Sequence, residues 1–285
     1  MNKKIKIFYN DKQNVENVNN FFSSTGNLNQ FIEAIKNFDY VEIINNFQKF
    51  SKNDFSLSYS KEHIDSILEY KNQNLLTNIK KEVIDFLFWL NTAFHAAAKF
   101  ALENKTFCCS QITDFHHVIF DECTNIYPLN GFILTAIKLK QQYPDILISI
   151  IDINTYYSDR TDNIINKLGL KDFIHYYTFD EVIDSVNKQK SFYDVEVSLK
   201  NELNKFTKYC DLILYQVGED FQYKDQYGRY FTIEELKRRD QIIFEFAKIN
   251  KIPLVWNFAD FYHKNSKKLL EIHLNTLSEA YKWIL

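Results

Sequence analysis

Ile146-Leu-Ile-Ser-Ile-Ile-Asp-Ile-Asn-Thr-Tyr-Tyr-Ser-Asp159 is the stretch whose reading decides the fold. Residues 146–151 are mostly β-branched and almost wholly apolar, which suits a parallel strand covered on both faces. The polar residues that follow read as a loop at its C-terminal end. In open α/β sheets the ligand crevice lies beyond the carboxyl ends of the strands, and Asp152, Asn154 and Tyr156 alternate at i, i+2 and i+4, so they can face one site.

Outward from this strand, short apolar runs and helical patterns alternate. Further strands are expected at 4–9, 40–44, 106–110, 173–178, 212–217 and 253–256. Helical spacing marks 28–38, 61–70, 76–104, 130–141, 160–167, 180–187, 195–208, the stretch after Thr232, and 266–280. Pro144 ends one helix and Gly169 is placed to cap another. The alternation predicts an α/β fold, a three-layer α/β/α sandwich with a mostly parallel central sheet. Within the long helix, Ala96-Ala97-Ala98 permits close packing, and His95 reads as a packed structural residue rather than a catalytic one.

The 285 residues include only five glycines and three prolines, and no linker or low-complexity segment divides them, so one domain spanning 1–285 is expected. The 34 basic and 37 acidic residues are well mixed, which argues against a nucleic-acid or anionic-membrane partner. No apolar run reaches membrane-spanning length and the N-terminal residues lack the apolar core of a signal peptide, so the expectation is a cytoplasmic protein. Cys108, Cys109, Cys123 and Cys210 have no metal-type spacing, and the adjacent Cys108 and Cys109 read as small buried hydrophobes. No G-x-G-x-x-G or phosphate-loop pattern points to a nucleotide cofactor.

Several spaced motifs carry a resemblance. Ser58-Tyr-Ser-Lys-Glu-His-Ile, Phe94-His-Ala-Ala-Ala-Lys-Phe-Ala-Leu, Asp114-Phe-His-His-Val, Ile151-Asp-Ile-Asn-Thr-Tyr-Tyr-Ser-Asp, Val217-Gly-Glu-Asp-Phe and Pro253-Leu-Val-Trp-Asn-Phe-Ala-Asp-Phe-Tyr follow one another in order. From about Tyr59 to the C-terminus they resemble the histone deacetylase and acetylpolyamine amidohydrolase family of the arginase/deacetylase superfamily. That family hydrolyses acyl-amine bonds with zinc held by an Asp, a His two residues later and a second Asp, beside tandem acid/base histidines. The resemblance implies that His116 and His117 are the catalytic pair, Asp152 and Asp159 their orienting carboxylates, and Tyr262 the hydroxyl that polarises the substrate carbonyl. It makes Asp220 a metal ligand.

Two departures change the chemistry. Asn154 stands where the family has its ligating Asp, and Tyr156 where it has His. A neutral amide and a phenol with a pKa near 10 are poor zinc donors, so the expectation is that no cofactor is held, with zinc or iron the alternative. A replacement site would draw on Asp260 and His263 beside Asp220. Ala259-Asp260-Phe261 and Ser110-Gln111-Ile112-Thr113 replace glycine-rich turns, reshaping a pocket to which Asn154, Tyr156 and Asp260 would contribute. Two functions follow: a metal-independent enzyme using His-Asp dyads on an acyl, amide or related small substrate, or a non-catalytic pseudo-deacetylase that binds an acylated amine, polyamine or peptide. The sequence does not settle the oligomeric state.

Overall fold

Apolar strands that are buried on both faces need a helix layer on each side, and the chain supplies both. The computed structural model describes residues 3–13, 25–68, 81–111, 129–153, 159–178, 192–206, 210–218, 231–258 and 266–284. Its strands are β1 (Ile5–Phe8), β2 (Val41–Ile44), β3 (Phe107–Gln111), β4 (Ile148–Ile153), β5 (Ile174–Thr178), β6 (Leu212–Val217) and β7 (Leu254–Phe258). All pair in parallel in one sheet, in the order β2-β1-β3-β7-β6-β4-β5. The helices are α1 (Thr25–Ile35), α2 (Lys52–Phe55), α3 (Lys61–Leu68), α4 (Lys81–Asn104), α5 (Gly131–Gln142), α6 (Asp159–Lys167), α7 (Phe192–Phe206), α8 (Ile233–Asn250) and α9 (Ser266–Trp283). The protein is thus a three-layer α/β/α sandwich on a parallel sheet.

The two faces of the sheet bury separate cores. Cys108, Ile148, Ile150, Leu212, Leu214 and Val255 point to the side covered by α3, α4, α5 and α6. Their strand neighbours Phe107, Cys109, Ile151, Ile213, Tyr215 and Trp256 point to the side covered by α1, α7, α8 and α9. This is the period-two alternation of a strand applied to residues that are apolar throughout. Every connection that steps across the sheet from the β2 edge towards the β5 edge runs over the first face, and every connection that steps back runs over the second. The crossovers therefore share one hand, as strand twist imposes.

α4 anchors the first layer. Its 24 residues span about 36 Å and pack on β1, β3, β6 and β7. Ala97, Ala98 and Ala101 are fully buried, so the helix lies close to the strands, while Phe94 packs edge-on against Phe132 of α5 at 5.1 Å between ring centres. α5 begins where Asn130 caps it, the side-chain oxygen accepting from the amides of Phe132 (3.1 Å) and Ile133 (3.2 Å). In the second layer Trp256 packs edge-on against Phe244 of α8 at 5.2 Å.

Helix ends show what few glycines require. Gly169 caps α6 with φ +64°, and the amides of Gly169 and Leu170 reach back to the carbonyls of Asn166 (3.3 Å) and Ile165 (2.9 Å), a Schellman closure. α4 and α8 close in the same left-handed conformation with lysines, Lys105 at φ 49° and Lys251 at φ 56°. The short helix α2, opened by the Ser51–Asp54 capping box, is too short for periodicity to mark it. The expected helix at 180–187 lies outside the described residues.

β4 begins and ends two residues later than its apolar composition predicts. The ladder with β5 and β6 runs from Ile148 to Asp152 and Ile153, so Asp152 belongs to the strand rather than to the loop beyond it. Leu147, by contrast, is tied to the turn before β6: its amide donates to the Asp211 carboxylate (2.9 Å) and its carbonyl accepts from the Asp211 amide (2.7 Å).

Candidate functional site

A crevice forms at the carboxyl end of a parallel sheet wherever neighbouring strands send the chain to opposite faces. β4 leads to α6 on the first face while its neighbour β6 leads to α8 on the second, and β3 and β7 diverge likewise towards α5 and α9. The four strands β3, β7, β6 and β4 are consecutive in the sheet. The segments that follow them in sequence carry His116, His117, Asn154, Tyr156, Asp220, Asp260, Tyr262 and His263, and these positions lie outside the described residues. Asp159 opens α6, with its side chain likewise outside the description. Asp152 is the predicted site residue whose surroundings are described.

Asp152 is 1% exposed and points to the first face of the sheet. A charge so placed is tolerated only with donors around it. Gln216 Nε2 donates to Oδ1 at 3.2 Å and the Tyr176 hydroxyl donates to Oδ2 at 3.2 Å. Gln216 Oε1 in turn accepts from Asn257 Nδ2 at 3.5 Å. Beyond Asn257, the Ser110 hydroxyl donates to the carbonyl of Phe8 at 3.2 Å. Strand register aligns Ser110, Asn257, Gln216, Asp152 and Thr178 side by side, so five adjacent strands place a polar residue at one level near their carboxyl ends. All five are buried. Asn257 Oδ1 finds no hydrogen-bond partner. Burial, and then the charge of Asp152, push the Tyr176 hydroxyl well above the ordinary tyrosine range, so it acts as a donor.

A second buried group lies on the opposite face. Asp240 of α8 accepts at Oδ1 from the Tyr215 hydroxyl (2.6 Å) and from Arg239 Nε (2.9 Å), and at Oδ2 from the Thr276 hydroxyl (2.5 Å). Arg239 is 1% exposed and its Nη1 donates to the Gly218 carbonyl at 2.6 Å. The guanidinium thus grips the chain where it leaves β6, two residues before Asp220. His273 is fully buried between the rings of Phe31 and Phe258, at 6.0 and 4.5 Å, and burial reinforced by the charge of Arg239 holds it neutral. Sequence patterning missed this group because Arg239-Asp240 reads as surface charge on an amphipathic helix.

His95 lies on α4 in a cleft of about 380 Å³ that Phe50, Asp54, Thr92, Lys99 and Lys138 also line. It is 7% exposed, packs with its ring tilted against Phe50 at 5.2 Å, and its Nδ1 finds no partner. Burial, then the charges of Lys138 and Lys99, push its pKa down to about 3 against the opposing pull of Asp54. The expected structural role agrees with this packing. The cleft lysines are matched by carboxylates, Lys138 by Asp54 and Lys99 by Glu103 at 3.9 Å.

No group of three His, Cys, Asp or Glu converges as a metal site among the described residues. Asn154, Tyr156 and Asp220, which the resemblance compares with a zinc-ligand set, offer a neutral amide, a phenol and a single carboxylate, a donor set poor for zinc. Cys108 and Cys109 are fully buried on opposite faces of the sheet, and burial raises both thiols, so neither is a ready thiolate ligand. No described helix is long and apolar enough to cross a membrane. No protein-family model matches the chain, and no curated protein matches it.

Proposed function

We propose that this chain is a divergent enzyme of the histone-deacetylase type that works on an acyl, amide or related small substrate by acid/base chemistry, without the family's zinc. The observation that carries the reading is Asp152: a carboxylate buried to 1% exposure at the carboxyl end of a central strand, where the chain diverges to opposite faces. In this reading His116 and His117 exchange protons with the substrate, Asp152 and Asp159 orient their imidazoles, and the Tyr262 hydroxyl donates to the developing oxyanion. Asn154, Tyr156 and Asp260 shape the pocket. The even mixture of charges supports a small-molecule partner and a cytoplasmic setting over nucleic acid or membrane.

The test is acid release from a panel of N-acylated amines, polyamines and acyl-lysine peptides. His116→Ala, His117→Ala and Asp152→Asn should each lower turnover about 100-fold or more. Full turnover in the two histidine variants would sink the proposal. A second reading, a protein that binds an acylated amine without cleaving it, is favoured by Asn154 and Tyr156 at the metal-ligand positions. Saturable binding with no product at any pH would select it. Metal content of protein purified without chelator separates both from a rebuilt metal site, since a stoichiometric ion would require Asp220 to have new partners such as Asp260 and His263.

A further inference from the structure

The polar row on the first face has a direction. An ionised carboxylate only accepts hydrogen bonds, whereas a primary amide presents a donor at one end and an acceptor at the other. Gln216 turns its NH2 to Asp152 (3.2 Å) and its oxygen away. That oxygen meets Asn257, which must answer with its own NH2 (3.5 Å). Asn257 Oδ1 is left at the far end, buried and without a partner, beside a serine whose proton is already given to Phe8. From the opposite strand, Tyr176 adds another donor to Asp152 at 3.2 Å. The Tyr176 hydroxyl and the NH2 groups of Gln216 and Asn257 all run towards one carboxylate. Both oxygens of Asp152 accept, Oδ1 from Gln216 and Oδ2 from Tyr176, and donors on both oxygens favour the ionised carboxylate over the protonated acid.

We propose that Tyr176, Gln216 and Asn257 are positioning residues that hold Asp152 as an ionised acceptor, so that the group Asp152 serves must meet it through an N–H or O–H donor. The inference rests on the function proposed above only for what that group is. If it is the imidazole of His116 or His117, the ring nitrogen facing Asp152 carries the proton and the other is left free to act as base. Three residues that never touch the substrate would then set the tautomer of the catalytic histidine.

The experiment is the titration of the Asp152 carboxyl by 13C NMR in full-length protein labelled at aspartate Cγ, with the resonance assigned by its loss in Asp152→Asn. In the native protein the carboxyl should be ionised throughout the neutral range. Tyr176→Phe and Gln216→Met each remove one donor while keeping the volume, and each should raise the titration midpoint by about one pH unit or more, tenfold in proton affinity. Asn257→Leu, acting through Gln216, should raise it by less. Tyr176 lies on the edge strand β5, so its variant keeps the test open if Gln216→Met does not fold. A midpoint unmoved in folded Tyr176→Phe and Gln216→Met, even with lowered melting temperatures, reduces the row to a structural feature and overturns the inference. So does a protonated Asp152 at neutral pH in the native protein. The readout needs no substrate: absence of turnover would count against the enzyme reading and leave the titration standing, while an unmoved midpoint would leave the search for turnover untouched.

Discussion

Replacing His95 with glutamine should flatten the response of stability to mild acid. The ring is 7% exposed, its Nδ1 has no partner, and burial with the nearby Lys138 and Lys99 charges lowers its pKa to about 3 in the folded state. In the unfolded chain the same imidazole titrates at its ordinary value near 6.5. Below that value the unfolded state takes up a proton that the folded state refuses, so stability is fully present above about pH 6.5 and falls as the pH drops towards 3. The slope approaches roughly 1.4 kcal/mol per pH unit, and between about pH 7.5 and about pH 5 the loss integrates to about 2 kcal/mol. Because the folded midpoint lies so far below pH 5, that figure depends almost wholly on the unfolded value. Urea unfolding of the native protein and His95→Gln at several pH values isolates the contribution. Carboxylates such as Glu196 that lose stabilisation in acid appear in both proteins and cancel. Asp54, which faces His95 from α2 while paired to Lys138, is the group whose effect cancels least, and Asp54→Asn supplies the control. Parallel pH slopes in the native and His95→Gln proteins would refute the reasoning.

His273, held neutral by burial and the charge of Arg239, predicts the same sign, and His273→Gln should remove a comparable slope. Asp240→Ala removes the carboxylate paired with the buried Arg239 guanidinium and should cost about 3–5 kcal/mol in urea unfolding, against about 1.5–3 kcal/mol for Thr276→Val, which removes one donor. Equal costs would mean that removing the charge partner of the guanidinium adds nothing beyond the loss of a single hydrogen bond. Lys105→Gly and Lys251→Gly should each stabilise the protein by roughly 0.5–1 kcal/mol, because both residues hold a left-handed conformation that glycine adopts without strain; an unchanged or lowered urea midpoint contradicts this. Gly169→Ala meets no atom within 4 Å of its new Cβ yet should cost about 1 kcal/mol through its φ of +64° alone, with Gly169→Asn costing less.

The layers of this fold were legible because they rest on local periodicity. A run such as Leu212–Val217 is buried on both faces and contains nothing that fits a helix stripe, and Pro253 and Thr232 punctuate the chain where elements begin. The ends of β4 were misread for a physical reason: a charged residue counts locally as loop, yet Asp152 is kept within the strand by pairing with residues 64 positions away. The polar row of Ser110, Asn257, Gln216, Asp152 and Thr178 has no local signature at all, since each strand contributes one member and only register assembles them. Asp152 itself was found through the spacing of its own stretch and the motif around it. Tyr176, Gln216 and Asn257 were not, because a single polar residue in or just beyond an apolar strand carries no local sign of what lies beside it on the neighbouring strands. Arg239 and Asp240 escaped for the complementary reason: helical patterning assigns charges to solvent, and only the partners Tyr215, Thr276 and Gly218 make their burial intelligible.

The place of β7 determines how the chain can assemble. It follows the other six described strands in sequence and lies at the middle of the sheet, between β3 and β6, which do not pair with each other. During vectorial synthesis β2-β1-β3 and β6-β4-β5 can each form as three-stranded pieces, but among the described strands no backbone ladder joins them until residues 254–258 emerge. Closing the sheet is thus a late, long-range step, of the kind that slows folding and leaves strand edges open meanwhile. Those edges belong to β3 and β6, two of the four strands around which the candidate site is built. The same insertion that completes the hydrophobic layers also completes the polar row, since Asn257 arrives with β7.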